Sequence, residues 1–346
     1  MKPDRTGLPF QIVGENIHAT RVLKRTGKHA AELEDGSVGI AFETPAGERL
    51  LLPVHPDLVA ARDFAAGKIK HVQSAVRHGL DDGAWAEVAA AYVRTLAHRQ
   101  EVTGADWLDL NVDEVSADSG MRAEAIAWLV TTVEATATVP VSIDSSDVAV
   151  LAAGVAASTQ PRGRLMLNSA SIERPEVLDI AAEAATAVIL AASGMGGMPA
   201  SAEERVQNAI RLVELALAHQ IPGELCYVDP LVLPVAVSGE APVHVLEAAR
   251  QLRVEYGDAI HLTGGLSNVS FGMPARKLLN DTFIDLCAEA GIDSGIIDPV
   301  ASDLPHVFAA DRDSEGYRLA ADMLLGRDPF GGEYVLAFRE GRLGAE

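Results

Sequence analysis

Short apolar runs alternate with long amphipathic ones along this chain. The short runs predict strands at Phe10–Gly14, Trp107–Asn111, Val139–Asp144, Leu165–Asn168, Ala187–Ala191, Leu225–Asp229, Ile260–Gly264 and Ser294–Asp298. Each ends near a polar residue or a glycine. Between them, alanine-rich stretches predict helices at Gly83–Val102, Met121–Ala137, Val148–Ala157, Glu176–Ala184, Ala202–His219, Pro242–Glu255 and Ala275–Ala290, with a last helix over Glu315–Leu325. Eight strands, each followed by a helix, give the count of an α/β protein of the (β/α)8 TIM-barrel type. The near-continuous apolar character of the strands fits a parallel sheet covered on both faces. A doubly wound open sheet uses the same alternation, but no glycine-rich dinucleotide fingerprint follows the first strand.

One segment breaks the rhythm. About sixty residues separate the first strand from its expected helix. Within them, Ser37–Glu43 and Arg49–Val54 read as two strands joined by a hairpin-like turn over residues 44–48. The expected organisation is a single domain over residues 1–346, with this insertion at about 24–80 and a C-terminal extension at about 327–346. The insertion reads either as a solvated decoration or as a lid or docking surface, because the loop after the first strand of a barrel emerges on the catalytic face.

Composition narrows the class. The chain has 346 residues, is 48% hydrophobic and carries 28 Lys+Arg against 49 Asp+Glu, a formal charge of −21. That is too apolar for a disordered chain and too acidic for one that grips nucleic acid or an anionic membrane through a basic surface. Residues 24–80 hold eight basic and seven acidic side chains, so the insertion is near neutral while the remainder carries the negative charge. Cys226 and Cys287 lie in apolar runs and read as buried thiols rather than a disulfide framework or a zinc site. The first seven residues lack the apolar core of a signal peptide and no run reads as a membrane span, so a cytoplasmic enzyme is expected.

In a barrel, side chains at the carboxyl ends of the strands line one shared site. Here those ends read Glu15-Asn16-Ile17-His18, Asp109-Leu110-Asn111, Asp144-Ser145-Ser146, Asn168-Ser169, Asp229-Pro230, Ser267-Asn268 and Asp298-Pro299, with a glycine-rich Ser193–Gly197 after the fifth strand. Amides and carboxylates with almost no Lys or Arg suit a neutral heterocycle rich in N–H donors and ring nitrogens better than a phosphate. The Ser-His-Asp order of a hydrolase is absent, and neither an HExxH motif nor clustered histidines support zinc, so no metal is expected. Each polar end also has a structural reading. Ser146 reads as a helix N-cap, and Asp109 and Asp298 as loop-ordering residues.

The runs Ile143-Asp144-Ser145-Ser146, Leu167-Asn168-Ser169, Val228-Asp229-Pro230 and Gly265-Leu266-Ser267-Asn268-Val269-Ser270-Phe271-Gly272 resemble the pterin-binding TIM barrels. So do Leu108–Val112 and the stretch from Arg276 to Pro299. Within that superfamily the likeness is to methyltetrahydrofolate:corrinoid protein methyltransferases and to the folate domain of cobalamin-dependent methionine synthase. It covers about residues 10–20 and 83–326.

The resemblance implies that Asp144, Asn168 and Asp229 hold the pterin ring and that Asn268 bonds near N5 as the catalytic amide. Asp109, Asn111, Ser267 and Arg276 complete the expected folate-binding set. Gly14-Glu15-Asn16-Ile17-His18 departs from the family's usual Gly-Glu-Arg-Ile-Asn; Glu15, Asn16 and His18 are expected on the corrinoid-facing or lid side. The implied substrates are tetrahydrofolate and 5-methyltetrahydrofolate. The implied cofactor is a corrinoid (cobalamin) carried by a partner protein, because no Asp-x-His-x-x-Gly motif is present in this chain. A homodimer is expected from the family. A dihydropteroate-synthase-like enzyme remains an alternative, although a Ser-x-Arg-Pro-Gly loop is not found. A non-catalytic folate-binding protein is the other.

Overall fold

The alternation of apolar strand and amphipathic helix holds through the computed structural model, which describes residues 2–3 and 9–343. The fold is a (β/α)8 barrel of the TIM type. Its parallel strands are Pro9–His18, Trp107–Asn111, Val141–Asp144, Met166–Ala170, Ala187–Ala191, Cys226–Asp229, His261–Leu262 and Ser294–Ile297, in chain order around the sheet, with the last pairing back on the first. Lys2–Pro3 adds a short antiparallel strand beside Pro9–His18. Leu108, Asp109, Leu110 and Asn111 are all buried, as expected for a strand covered on both faces. Both cysteines are free and buried.

Two compact units divide the chain. The first comprises Gly14–Asn168. It holds the insertion, whose strands Ala30–Glu32, Val38–Glu43 and Arg49–Pro53 form an antiparallel sheet. Gly47 closes the hairpin turn at φ 84°, a conformation open to glycine and costly for side chains with a Cβ. A second pairing joins Leu23–Lys24 to Lys68–Ile69. The insertion is not a solvated decoration. Ile40, Leu52, Ile69, Val72 and Val76 are fully buried, and the Phe42 ring meets Tyr92 of the Ala86–Val102 helix edge-on at 5.0 Å. Its near-balanced charges suggest a solvated segment, but the inward face of the sheet has a helix to cover it. The His71–Leu80 helix, not expected from the sequence, also belongs here.

The other unit comprises Met1–Val13 and Ser169–Glu346. Its strands register Ala191 against Asp229 and Tyr227 against His261. Tyr227 stacks on His261 at 4.5 Å and donates its hydroxyl to Gln11 Oε1 at 2.9 Å. His261 in turn pairs with Asp293 at 2.7 Å. The C-terminal extension contains a helix, Gly332–Arg339, that is not among those expected from the sequence. Its Tyr334 is wholly buried and donates to the Ala275 carbonyl at 3.0 Å, so the extension braces the turn that starts the Arg276–Glu289 helix.

Candidate functional site

Three neighbouring strands bring polar residues level with one another in the Gly14–Asn168 unit. Parallel register places Asn111 opposite Asp144 and Asp144 opposite Asn168. Strand alternation puts Asp109 on the same face as Asn111. Four polar residues scattered over about sixty positions are therefore gathered by pairing alone.

Their hydrogen bonds fix which atom faces which. The Asp113 N–H donates to Asn111 Oδ1 at 3.0 Å, so the Asn111 Nδ2 must point the other way, and it donates to Asp144 Oδ2 at 2.9 Å. His18 lies beside the same oxygen, its Nε2 at 3.5 Å. The Thr20 N–H donates to His18 Nδ1 at 3.2 Å. A backbone amide can only donate, so Nδ1 is an acceptor in the neutral ring and Nε2, toward Asp144, carries the proton. Asn168 Nδ2 reaches Asp109 Oδ1 at 3.5 Å.

The electrostatics follow from burial and proximity. Asp109 is 2% exposed. Burial, then the charge of Asp144, push its carboxyl up to about 8, so at neutral pH it is mostly a protonated acid. Burial opposes a charge on His18, but Asp144 and then Asp109 outweigh it and raise the ring above the usual histidine range. The cluster thus combines a carboxylate beside a readily protonated imidazole with a neutral carboxylic acid. Such a set can both accept and donate hydrogen bonds to a heterocycle.

The first strand ends in a clamp. A Cβ at Gly14 would sit 2.5 Å from Gln100 Oε1, so glycine lets that amide approach the backbone. Gln100 Oε1 accepts the Asn16 N–H at 2.9 Å. Glu15 Oε1 pairs with Arg21 Nη2 at 2.6 Å. Ser146 does not cap the helix that follows the third strand. Asp147 does, accepting the Ala149 N–H at 2.9 Å. Ser146 instead donates its N–H and its hydroxyl to Asp113 Oδ2, each at 2.8 Å. The carboxylate of Asp113 outcompetes a local cap because it comes from the adjoining loop with two acceptor oxygens. Neither Asp113 nor Gln100 stands out in the sequence, since each acts on a partner more than thirty residues away.

In the other unit, Asp229 ends the Cys226–Asp229 strand. Its Oδ1 accepts the Leu231 N–H at 2.7 Å, with Leu231 itself in the left-handed region at φ 67°. Burial pushes the Asp229 carboxyl up to about 6, against the backbone donors of Leu231 and Gly265 and the charge of Arg205. Arg205 is 1% exposed and donates Nη1 to the Pro199 and Ser201 carbonyls at 3.0 Å. Its signal was legible, for it falls on the apolar stripe of the Ala202–Ala218 helix with Ala202, Ala209, Leu212, Val213 and Ala216.

Ser267 and Asn268 lie in the one-turn helix Leu266–Ser270. A Cβ at Gly265 would come within 2.7 Å of Asn268 Nδ2, so this glycine gives the amide its room. Asn268 is half-buried, and its side chain makes no hydrogen bond to any described residue. Arg276 holds the turn in place. Its Nε donates to Ser270 Oγ at 3.0 Å, its Nη2 to the Ser267 carbonyl at 3.3 Å, and its guanidinium covers the Phe271 ring at 4.4 Å. Asp298 orders its own loop, accepting the Val300 N–H at 3.0 Å, as the structural reading expects.

The fold and its polar strand ends are those of a barrel enzyme. The family described as pterin binding enzyme matches residues 80–298, and the chain belongs to it. It is 29% identical over 260 residues to a methylcorrinoid:tetrahydrofolate methyltransferase of Eubacterium limosum, covering 73% of this chain and 89% of that one. It is 32% identical over 229 residues to a methionine synthase of Mycobacterium tuberculosis, covering 61% of this chain but only 19% of that much longer one. The fold also matches a crystal structure of dihydropteroate synthase from Stenotrophomonas maltophilia at a TM-score of 0.50 and 18% identity, covering 64% of this chain and 85% of that one. At that identity the likeness is one of fold. Among the described residues no helix is long and apolar enough to cross a membrane.

Proposed function

We propose that this enzyme moves a methyl group between N5 of tetrahydrofolate and the cobalt of a corrinoid carried by a separate protein. The reading is carried by the unpartnered amide of Asn268, held in place by Gly265 and the Arg276 brace. It is supported by the similarity to the Eubacterium limosum methyltransferase over most of both chains.

A methyl group on the tertiary N5 of a folate leaves badly unless that nitrogen gains a proton or a strong hydrogen bond. An amide positioned in advance can stabilise the developing charge without reorganising. In this reading Asn268 bonds near N5, while Asp144, Asn168 and Asp229 hold the pterin. A carboxylate facing the guanidine-like edge of the ring accepts paired N–H bonds, and Asp144 already lies among N–H donors. Asp109, kept protonated by burial, donates to a ring nitrogen or carbonyl where a carboxylate would repel it. Asn111, Ser267 and Arg276 position these groups. Glu15, Asn16 and His18 face the corrinoid protein, and the insertion at about 24–80 contributes to its docking. The cobalt supplies the nucleophile or the methyl donor as substrate, so the chain needs no nucleophile of its own.

The test is calorimetric titration with tetrahydrofolate and 5-methyltetrahydrofolate, followed by an anaerobic optical assay with reduced cobalamin and, in reverse, with methylcobalamin. Folate binding with methyl transfer in either direction supports the reading. Folate binding without turnover would reduce the chain to a folate-binding protein, and no binding of either folate would leave only the fold.

A further inference from the structure

His55, His78 and Asp81 are far from the strand-end residues in sequence and have no part in the methyl transfer described above. Each offers one ligand atom, and the three atoms lie within 4.8 Å of one another. His78 and Asp81 sit one helical turn apart at the end of the His71–Leu80 helix, and His55 follows the Arg49–Pro53 strand. We propose that these three side chains bind one divalent transition-metal ion of the zinc class, which clips the segment after the insertion's sheet to the end of that helix.

Several features suit the site to a metal. The backbone that carries it is already fixed. The His55 N–H donates to Ser74 Oγ at 2.8 Å, and Ser74 donates to the Pro53 carbonyl at 3.2 Å. His78 Nε2 donates to the same carbonyl at 3.0 Å, which leaves Nδ1 as the lone-pair atom of that ring. A carbonyl acceptor behind a metal-binding histidine is the usual outer partner. His55 Nε2 lies 2.9 Å from Asp81 Oδ2. Two donors about 2.0 Å from a tetrahedral ion are about 3.3 Å apart, so the pair need open by only a few tenths of an ångström. His55 Nδ1 accepts the Asp57 N–H at 3.3 Å, so the free ring carries its one proton on Nε2, toward Asp81; on binding, that proton shifts to Nδ1 and the long bond from the Asp57 amide is given up, which frees Nε2 for the metal. Arg77, on the same helix, is engaged by Asp57 and by the Val115 carbonyl. Both histidines are 7% exposed while Asp81 is open to solvent, which gives an entry path and leaves room for a water as the remaining ligand.

The experiment uses tag-free, chelator-treated full-length protein titrated with Co(II) and with Zn(II), read by calorimetry and, for Co(II), by visible absorption. One equivalent of Zn(II), tetrahedral Co(II) bands, and a rise in melting temperature on adding Zn(II) are expected. Asp81→Asn, at an exposed position that leaves the fold intact, and His78→Gln should each weaken Zn(II) binding by at least about 10-fold. The absence of a stoichiometric site in the wild-type protein overturns the proposal, and so does unchanged affinity in either variant.

Discussion

His18 Nε2 lies 3.5 Å from the Asp144 Oδ2 that also accepts the Asn111 amide at 2.9 Å. One carboxylate oxygen thus serves two donors from two other strand ends. The charge on His18 depends on it, because burial alone would lower that ring. An NMR titration should find the wild-type His18 ring above the ordinary histidine range. In Asp144→Asn it should fall, since desolvation is then opposed only by a mostly protonated Asp109. An unchanged titration would remove Asp144 as the cause. The same variant should weaken folate binding strongly.

The raised carboxyl of Asp109 makes stability depend on pH. Its folded value of about 8 lies above its ordinary 3.8, so the folded state holds the proton more tightly than the unfolded one. The contribution is full below about pH 4 and is lost as pH rises through about 8. Asp229 has the same sign over a narrower window that ends near about 6. Above the Asp229 window, the melting temperature should therefore fall between about pH 6 and 8 and level off beyond, with a slope from Asp109 of at most about 1.4 kcal/mol per pH unit. Asp109→Asn should flatten that fall. A wild-type stability that rises over this range would show that Asp109 is not buried as a neutral acid.

Asn268→Ala removes an amide with no described protein partner, so the fold should tolerate it. Methyl transfer should slow by about 100-fold or more, while folate affinity changes little. Single-turnover kinetics beside calorimetry separate the two. A near-normal rate would end the catalytic assignment.

Gly79→Ala offers a test of sign. In an exposed helix this change stabilises by about 1 kcal/mol. Here the added Cβ would run into the Trp128 ring, so the ring or the His71–Leu80 helix must shift. Chemical denaturation should show a loss of about 1–3 kcal/mol, the cost of overpacking. A gain in stability would mean that the helix and Trp128 do not pack as described.

Much of this was legible in the sequence. Asn111, Asp144 and Asp229 each end a strand, where an apolar run gives way to polar residues, and Asp109 and Asn168 interrupt the apolar runs of theirs. Such runs are long enough to see because a covered parallel sheet demands apolar side chains on both faces. The run from Gly265 to Gly272 marked the turn that carries Asn268. Element ends were less so. The seventh strand shortens to His261–Leu262, because Gly264 and Gly265 turn into the Leu266–Ser270 helix instead of extending.

The sequence by itself determined the alternation, the strand count and the residue types at the strand ends, since these follow from periodicity and local chemistry. Only the tertiary structure decided which of those residues act on one another. Asp113 taking Ser146 from its cap, Gln100 filling the space of Gly14, His18 meeting Asp144, and the sheet of the insertion finding a helix to cover it are all encounters across tens of residues. No local pattern encodes them, because their energies come from desolvation and partners that exist only once the chain has folded.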